Sequence, residues 1–569
     1  MRELNGERLV TRSEIATLAG VNRPAVTNWA GRHADFPSQV DSVPTGTGAA
    51  DLFRADEVAE WLDARRIPSG KRRLDEPEGT TYGERFRAAL TGRRTSPKRV
   101  LMRYYEQVGG EERGRRDGET LELLIGVIAA WAVRGGELPL EKWRRPGGGD
   151  PWSVLRQWLE TDGWSLPRAP ETWRGGAWQD RVLAGAARAL AEAEWSRDGA
   201  AEALDWLIDL RVDEASAGKG KSKEIVTPPG IRRLMAGLLA EDARCDGTET
   251  VFDPYCRTGE ILDACAESFP GAGVSGGRAD GAAVTATEKW LARMRLFVRD
   301  IPGRVLESDV TRRSDFQGRY TRVVSNPPFN ERIEPGTWEN VSFRYGRPPQ
   351  HSGNFAWLQL AVQALEPGGR AAVLMANIAA QSASPVESAM RGAMVEDGAV
   401  EALIALPPQL FGQATGVPVT LWLLRAPTGA PGDVLFVDAG SLGTMAGRVR
   451  RVLSAQDLTT VADAYRRWRA SRVAGEPFQG RPGFSVSLPA HTLKERGWLL
   501  SPAVLVAGGG RSSTALREAD SGEETETVDA VAEIGRLAGR LAALDARARE
   551  SDLVADAVLA GLEKHRWTV

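Results

Sequence analysis

The spacing of hydrophobic positions changes several times along the chain, and each change predicts a change of architecture. Over residues 9–66 the pattern is short-range and helical. Thr11 or Ser13 supplies a cap, Ile15, Leu18 and Ala19 share a face, Gly20 stops the helix, and residues 21–29 resume it with Pro24 in the first turn. Two short helices around a glycine turn predict a helix-turn-helix. Val26 and Trp29 would hold the second helix to its core, leaving Asn22, Arg23, Thr27 and Asn28 to face bases and phosphates. A helical domain that docks protein is the alternative. Residues 67–80, basic at 71–73 and then acidic, read as a linker. Residues 81–214 are expected to be helical, with 121–131 the clearest buried segment and the tryptophans around 145–178 filling core gaps.

From residue 215 to 505 apolar strands alternate with amphipathic helices. Strands are predicted at 250–252, 274–280, 304–306, 370–375, 399–406, 417–424 and 433–438, and helices at 231–240, 261–268, 355–365 and 462–470. That alternation predicts an α/β fold with a doubly wound sheet. Residues 506–527 are a Gly/Ser/Glu-rich tether, and 528–569 carry a helix with Val531, Ile534, Leu537, Leu541, Leu544 and Leu553 on one face, ready to pack on its own domain or a partner.

Within the sheet, Arg322-Val-Val-Ser-Asn-Pro-Pro-Phe-Asn330 ends an apolar strand in a rigid polar corner. Two prolines fix φ and remove donors, so the carbonyls beside them remain acceptors, and Asn326 adds a side-chain carbonyl. An exocyclic amine such as N6 of adenine needs acceptors for both hydrogens, which Asn326 and the Pro327 carbonyl can supply while Phe329 stacks on the ring. A plain strand-ending turn is the competing explanation.

Composition narrows the field. With 42% hydrophobic and 26% charged residues the chain is globular in type, no apolar run approaches a membrane span, and the N-terminus lacks a signal-peptide core, so a cytoplasmic location is expected. Three cysteines and four scattered histidines support neither a disulfide framework nor a metal site. A net charge of −3 leaves any DNA contact to local basic patches.

Asn326-Pro327-Pro328-Phe329 resembles the catalytic motif of amino-methylating DNA methyltransferases, and its surroundings resemble the modification subunit of type I restriction systems. Ile225-Val-Thr-Pro-Pro229 and Val251-Phe-Asp-Pro-Tyr-Cys-Arg-Thr-Gly-Glu-Ile-Leu262 resemble that family's cofactor motifs, in the family's order. Phe355-Ala-Trp-Leu-Gln359, Pro367-Gly-Gly-Arg-Ala-Ala-Val373 and Leu406-Pro-Pro-Gln-Leu-Phe411 fit downstream. The resemblance implies a Rossmann-like methyltransferase sheet preceded by a helical domain, and a catalytic set of Asn326, Pro327, Pro328 and Phe329. It implies S-adenosylmethionine as cofactor, with Thr227, Asp253, Tyr255, Thr258, Gly259 and Asp309 around it. Double-stranded DNA and a specificity subunit are the implied partners, the latter held through the C-terminal helix. Residues 1–66 resemble excisionase-like winged helix-turn-helix modules, with 35–38 as wing and 52–62 as closing helix.

Three positions depart from the family. Arg257 and Glu260 stand where glycines are usual, and aligning 274–280 on the second strand puts Arg278 where an acidic residue normally holds the cofactor's ribose hydroxyls. An arginine cannot accept those bonds. Asp280 or Glu288 would have to substitute. Two functions follow: an adenine-N6 DNA methyltransferase, or a methyltransferase-like DNA-binding or regulatory protein whose cofactor site no longer turns over. A purely architectural subunit of a defence complex differs from the second only in its partners.

Overall fold

The computed structural model describes residues 2–4, 7–45, 48–71, 79–90, 96–112, 117–138, 177–217, 226–241, 243, 248–269, 277–307, 310–313, 315–334, 336–339, 341–411, 417–447 and 450–508. Residues 218–223, Asp309, nearly all of the expected tether, the expected C-terminal helix and most of the tryptophan-rich stretch lie outside the described residues.

At the N-terminus, β1 (Arg2–Leu4), β2 (Glu7–Thr11), β3 (Asp41–Thr45) and β4 (Gly48–Arg54) form a four-stranded antiparallel sheet in the order β1-β2-β4-β3. Helix α1 (Arg12–Ala19) starts in a capping box between Thr11 and Glu14 and stops at Gly20, whose φ of 66° costs glycine little. Helix α2 (Arg23–Arg32) is capped by Asn22, whose side chain accepts from the Ala25 N–H at 3.0 Å. The turn and both helices match the sequence pattern, which does not predict β1 and β2. Residues 35–38, expected as the wing, form no strand, and the hairpin that follows is β3–β4. Residues 52–54 end β4 instead of opening a helix, because they pair across to β2 while 52 also pairs with β3; helix α3 (Ala55–Asp63) begins only afterwards. Ile67, and Tyr82 and Phe86 of α4 (Tyr82–Leu90), are buried in this module's core, with Tyr82 edge-on to Trp29 at 5.7 Å. The compact module therefore runs to Leu90, through the expected linker.

Helices α5 (Pro97–Glu112), α6 (Asp117–Val133), α7 (Ala177–Leu190) and α8 (Arg197–Ala217) follow. Apolar almost throughout, α6 is buried over residues 121–132, as a helix without a polar face must be. Their core continues into Trp290, Leu291, Met294 and Val298.

The remainder is a nine-stranded mixed sheet: β5 (Thr250–Asp253), β6 (Arg278–Ala283), β7 (Val305–Glu307), β8 (Tyr320–Ser325), β9 (Leu365–Ala376), β10 (Val400–Ala405), β11 (Val419–Arg425) and β12 (Val434–Asp438), with a separate hairpin of β13 (Thr444–Ala446) and β14 (Arg450–Val452), then β15 (Ser485–Leu488) at the edge. Helices α9 (Pro229–Ala240), α10 (Glu260–Ser268), α11 (Ala286–Val298) and α12 (Asn354–Ala364) connect or precede its first strands. The order is β15-β12-β10-β11-β9-β8-β5-β6-β7, parallel from β9 through β7 and between β10 and β12. Alternate residues feed two cores. Val251, Val324, Leu374, Ile404 and Leu423 face one, while Phe252, Val323, Val373, Leu403 and Trp422 face the other. Between β5 and β8 the winding reverses, since β6 and β7 run outward on one side and β8 and β9 on the other. In an open α/β sheet such a reversal is where the ligand crevice lies, here outside the carboxyl ends of β5 and β8, which carry Asp253 and Ser325.

Candidate active site

Strand β5 delivers Asp253 to this crevice fully buried. Its Oδ1 accepts from the Tyr255 N–H at 2.9 Å and the Ser325 hydroxyl at 2.9 Å, but its Oδ2, equally buried, has no partner. Burial pushes this carboxyl up to about 7 against those two hydrogen bonds. A buried acceptor of that kind calls for a donor from outside the chain.

Strand β8 delivers Asn326, also buried. Its Nδ2 donates to the Thr227 hydroxyl at 3.0 Å, which fixes the amide so that Oδ1 is the end left to accept. Pro327 is buried, and Phe329 is half-buried with its ring edge-on to Phe411 at 6.3 Å. Asn330 closes the corner at φ 54°, its N–H donating to the Asn354 side chain at 3.0 Å and its Oδ1 accepting from that side chain at 2.8 Å. The long segment after it is pinned. Gln359 of α12 accepts from the Tyr345 N–H at 2.8 Å and donates to the Gly346 carbonyl at 2.9 Å, and Trp338 lies edge-on to Trp357 at 5.1 Å. Trp357 meets Tyr255 in turn at 5.6 Å, so the segment after Asn330 and the turn after β5 share one aromatic support.

In that turn Arg257 adopts φ 46°, a conformation that suits glycine, with its guanidinium 5.0 Å from the centre of the Tyr255 ring. Gly259, at φ 77°, passes so close to Ala292 that a Cβ would lie 3.2 Å from its Cα and Cβ. Glu260 opens α10 but turns back: Oε1 accepts from the Thr227 N–H at 3.1 Å and Oε2 from the Thr258 hydroxyl at 2.9 Å. Beneath it Arg295, fully buried in α11, donates to the Thr258 carbonyl at 2.7 Å, pairs with Asp205 of α8 at 2.9 Å and approaches Glu260 to 3.9 Å.

Of the expected cofactor set, Thr227, Asp253, Tyr255, Thr258 and Gly259 come together at one end of the sheet. Arg278 does not. It pairs with Thr250 at the start of β5, three residues before Asp253, and so lies at the amino end, roughly 10 Å along the strand from the crevice. Its guanidinium is spent on Asp280 at 2.7 Å. Neither expected substitute is available: Asp280 also accepts from the Arg304 N–H and the Tyr320 hydroxyl, and Glu288 closes the Thr285 cap. The carboxyl end of β6 is Ala283, followed by exposed Val284. Opposite Ala283 stands Glu307 on β7, 3.5 Å from Lys289, a carboxylate that the sequence pattern does not single out.

In the N-terminal module Asn22, Arg23, Thr27 and Asn28 are all exposed on or beside α2, while Val26 is buried. Among the described residues no cluster of His, Cys, Asp and Glu could hold a metal ion, and no helix is long and apolar enough to cross a membrane.

Residues 196–508 match the N-6 DNA methylase family. The chain is similar to the type I restriction enzyme HindI methylase subunit of Haemophilus influenzae, 28% identical over 317 residues that make up 53% of this chain and 68% of the relative. It is also similar to the type I restriction enzyme MjaIX methylase subunit of Methanocaldococcus jannaschii, 27% identical over 48% of this chain and 50% of that one. Among solved structures, the type I restriction-modification methyltransferase subunit of Streptococcus thermophilus superposes with a TM-score of 0.50 at 20% identity, over 67% of this chain and 79% of that chain.

Proposed function

The chain belongs to the N-6 DNA methylase family, and from its site we propose that it methylates N6 of an adenine turned out of double-stranded DNA, as the modification subunit of a type I restriction system. The observation that carries this reading is the orientation of Asn326, whose amide nitrogen is held by Thr227, which leaves its oxygen to accept at the end of β8, the strand that pairs with the one carrying buried Asp253.

S-adenosylmethionine, when bound, supplies an electrophilic methyl group on a sulfonium. The unpartnered Oδ2 of Asp253 fits its amino group, and Tyr255, Thr258 and Gly259 form the turn against which it would lie. Asn326 Oδ1 and the Pro327 carbonyl accept the two hydrogens of the adenine amine. That acceptance raises electron density on N6 and stabilises the positive charge that grows on it as the methyl group transfers. Phe329, braced by Phe411, offers a ring face to hold the base out of its stack.

Residues 1–90 supply the second contact. A helix-turn-helix with a β3–β4 wing would set Asn22, Arg23, Thr27 and Asn28 against the duplex, and Arg23 would add a phosphate contact. The C-terminal segment, residues 528–569, would hold a specificity subunit.

The test is N6-methyladenine in the DNA of a host without adenine methylation, expressing this chain with the other subunits of its system. Asn326→Ala is expected to lower it by roughly 10²–10³, the cost of removing one donor or acceptor aimed at transition-state charge. Equal levels from wild type and mutant would remove Asn326 from the chemistry.

A further inference from the structure

A carboxylate of the chain itself, that of Glu260, accepts from the backbone beside Asn326. The Thr227 N–H opens the segment that also holds Asn326, and a backbone amide beside a strand-end crevice is the kind of group that receives the carboxylate of an amino-acid-like ligand. Here it is already satisfied by Glu260 Oε1 at 3.1 Å. Oε2 accepts from the Thr258 hydroxyl at 2.9 Å, in the turn after β5. Glu260 is buried, and Arg295, itself fully buried and anchored on Asp205, lies 3.9 Å from it.

Resting on the assignment of S-adenosylmethionine as methyl donor, we propose that Glu260 is an internal stand-in for the donor's carboxylate and sets the affinity for the donor low. The amino group of the ligand would still find Asp253, but its carboxylate meets an occupied amide and a like charge in the same small volume. Two carboxylates cannot share one N–H at hydrogen-bond distance in a buried site, so the ligand's must stay solvated or Glu260 must swing out of its bonds. At the far end of the ligand, neither Ala283, which ends β6, nor Val284 after it accepts a ribose hydroxyl from its side chain. Weak loading is therefore a property of two places in this chain, and Glu260 is the one that can be relieved without building anything new.

Calorimetric titration of S-adenosylmethionine into the full chain tests this. Glu260→Ala frees the Thr227 amide and leaves Arg295 its bonds to Asp205 and Thr258. Its affinity is expected to exceed that of wild type by about tenfold or more, the worth of one charge-assisted hydrogen bond regained and a repulsion removed. Glu260→Gln, nearly the same in volume, keeps an acceptor without the charge and is expected to gain about two- to fivefold, which secures the comparison should the alanine variant fold poorly. Unchanged or weaker binding in both variants, with measurable binding by wild type, overturns the role of Glu260 while the methyl donor stands. No binding by any of the three overturns both, and leaves a methyltransferase-like protein that does not use this donor.

Discussion

Asp253 is the residue whose chemistry reaches furthest. Its carboxyl titrates at about 7 because burial opposes the charge more strongly than the Tyr255 N–H and the Ser325 hydroxyl favour it. A cationic amino group pairs with the carboxylate and not with the acid, so a proton competes with the ligand below pH 7. Donor affinity is expected to fall about tenfold between pH 8 and pH 6, since the ionised fraction falls by that factor around a pKa of 7. Calorimetry at the two pH values checks it, with Asp253→Asn as the reference that should bind weakly and without that slope. At this scale the sequence is informative about position wherever a motif names a residue by its neighbours: Asp253, Gly259 and Asn326 lie at or just beyond the carboxyl ends of β5 and β8. It is silent on bonds between motifs, such as Thr227 with Glu260, 33 positions apart in the chain. Arg278 escapes it because a Gly/Ser-rich approach to β6 offers no alternation to fix the register, and a strand shifted by a few residues carries its first residue to the other end of the sheet.

Among elements, α11 does the most joining. Trp290, Leu291 and Met294 pack into the helical domain, while Arg295 reaches the turn after β5 through Thr258 and Arg299 just beyond ties Asp205 to Asp263. Asp205 is held below the usual carboxylate range even though burial opposes its charge, because Arg295 and Arg299 face it. Replacing Arg295 by alanine would leave Glu260 and Asp205 short of their buried cation. Removing one partner of a buried ion pair costs about 3–5 kcal/mol, far more than an exposed pair is worth. We expect chemical denaturation of Arg295→Ala to show an earlier unfolding transition for this part of the chain, and Arg295→Lys to recover only part of the loss, since an ammonium cannot span the Thr258 carbonyl and Asp205 in one plane. Periodicity predicts most of the sheet and its helices to within a few residues, because their apolar faces are long. It misses β1 and β2 and misplaces the hairpin for the opposite reason: strands of three to seven residues, stabilised by pairing with segments far along the chain, carry little local signal.

For the whole molecule, the structure moves the boundary at which the N-terminal module can be separated. Cutting after residue 66 would take away the sheet and the first three helices yet leave Ile67, Tyr82 and Phe86 without the core that buries them. Exposing those side chains to water would confuse weakened DNA binding with poor solubility. Deleting residues 1–90 removes the module with its core intact, after the last residue of α4. If α2 lies on the duplex, that deletion should weaken binding to double-stranded DNA and make it less salt-dependent, with the slope of log K against log salt falling by about 0.9 for each phosphate that is no longer neutralised. Fluorescence anisotropy across a salt series measures both. Arg23→Ala in the full chain separates the roles: as a phosphate ligand it should lower the slope by about one and weaken all sequences alike, whereas Asn28→Ala should weaken some sequences more than others. An unchanged slope and affinity after deletion of residues 1–90 would mean that the exposed face of α2 serves a protein partner instead.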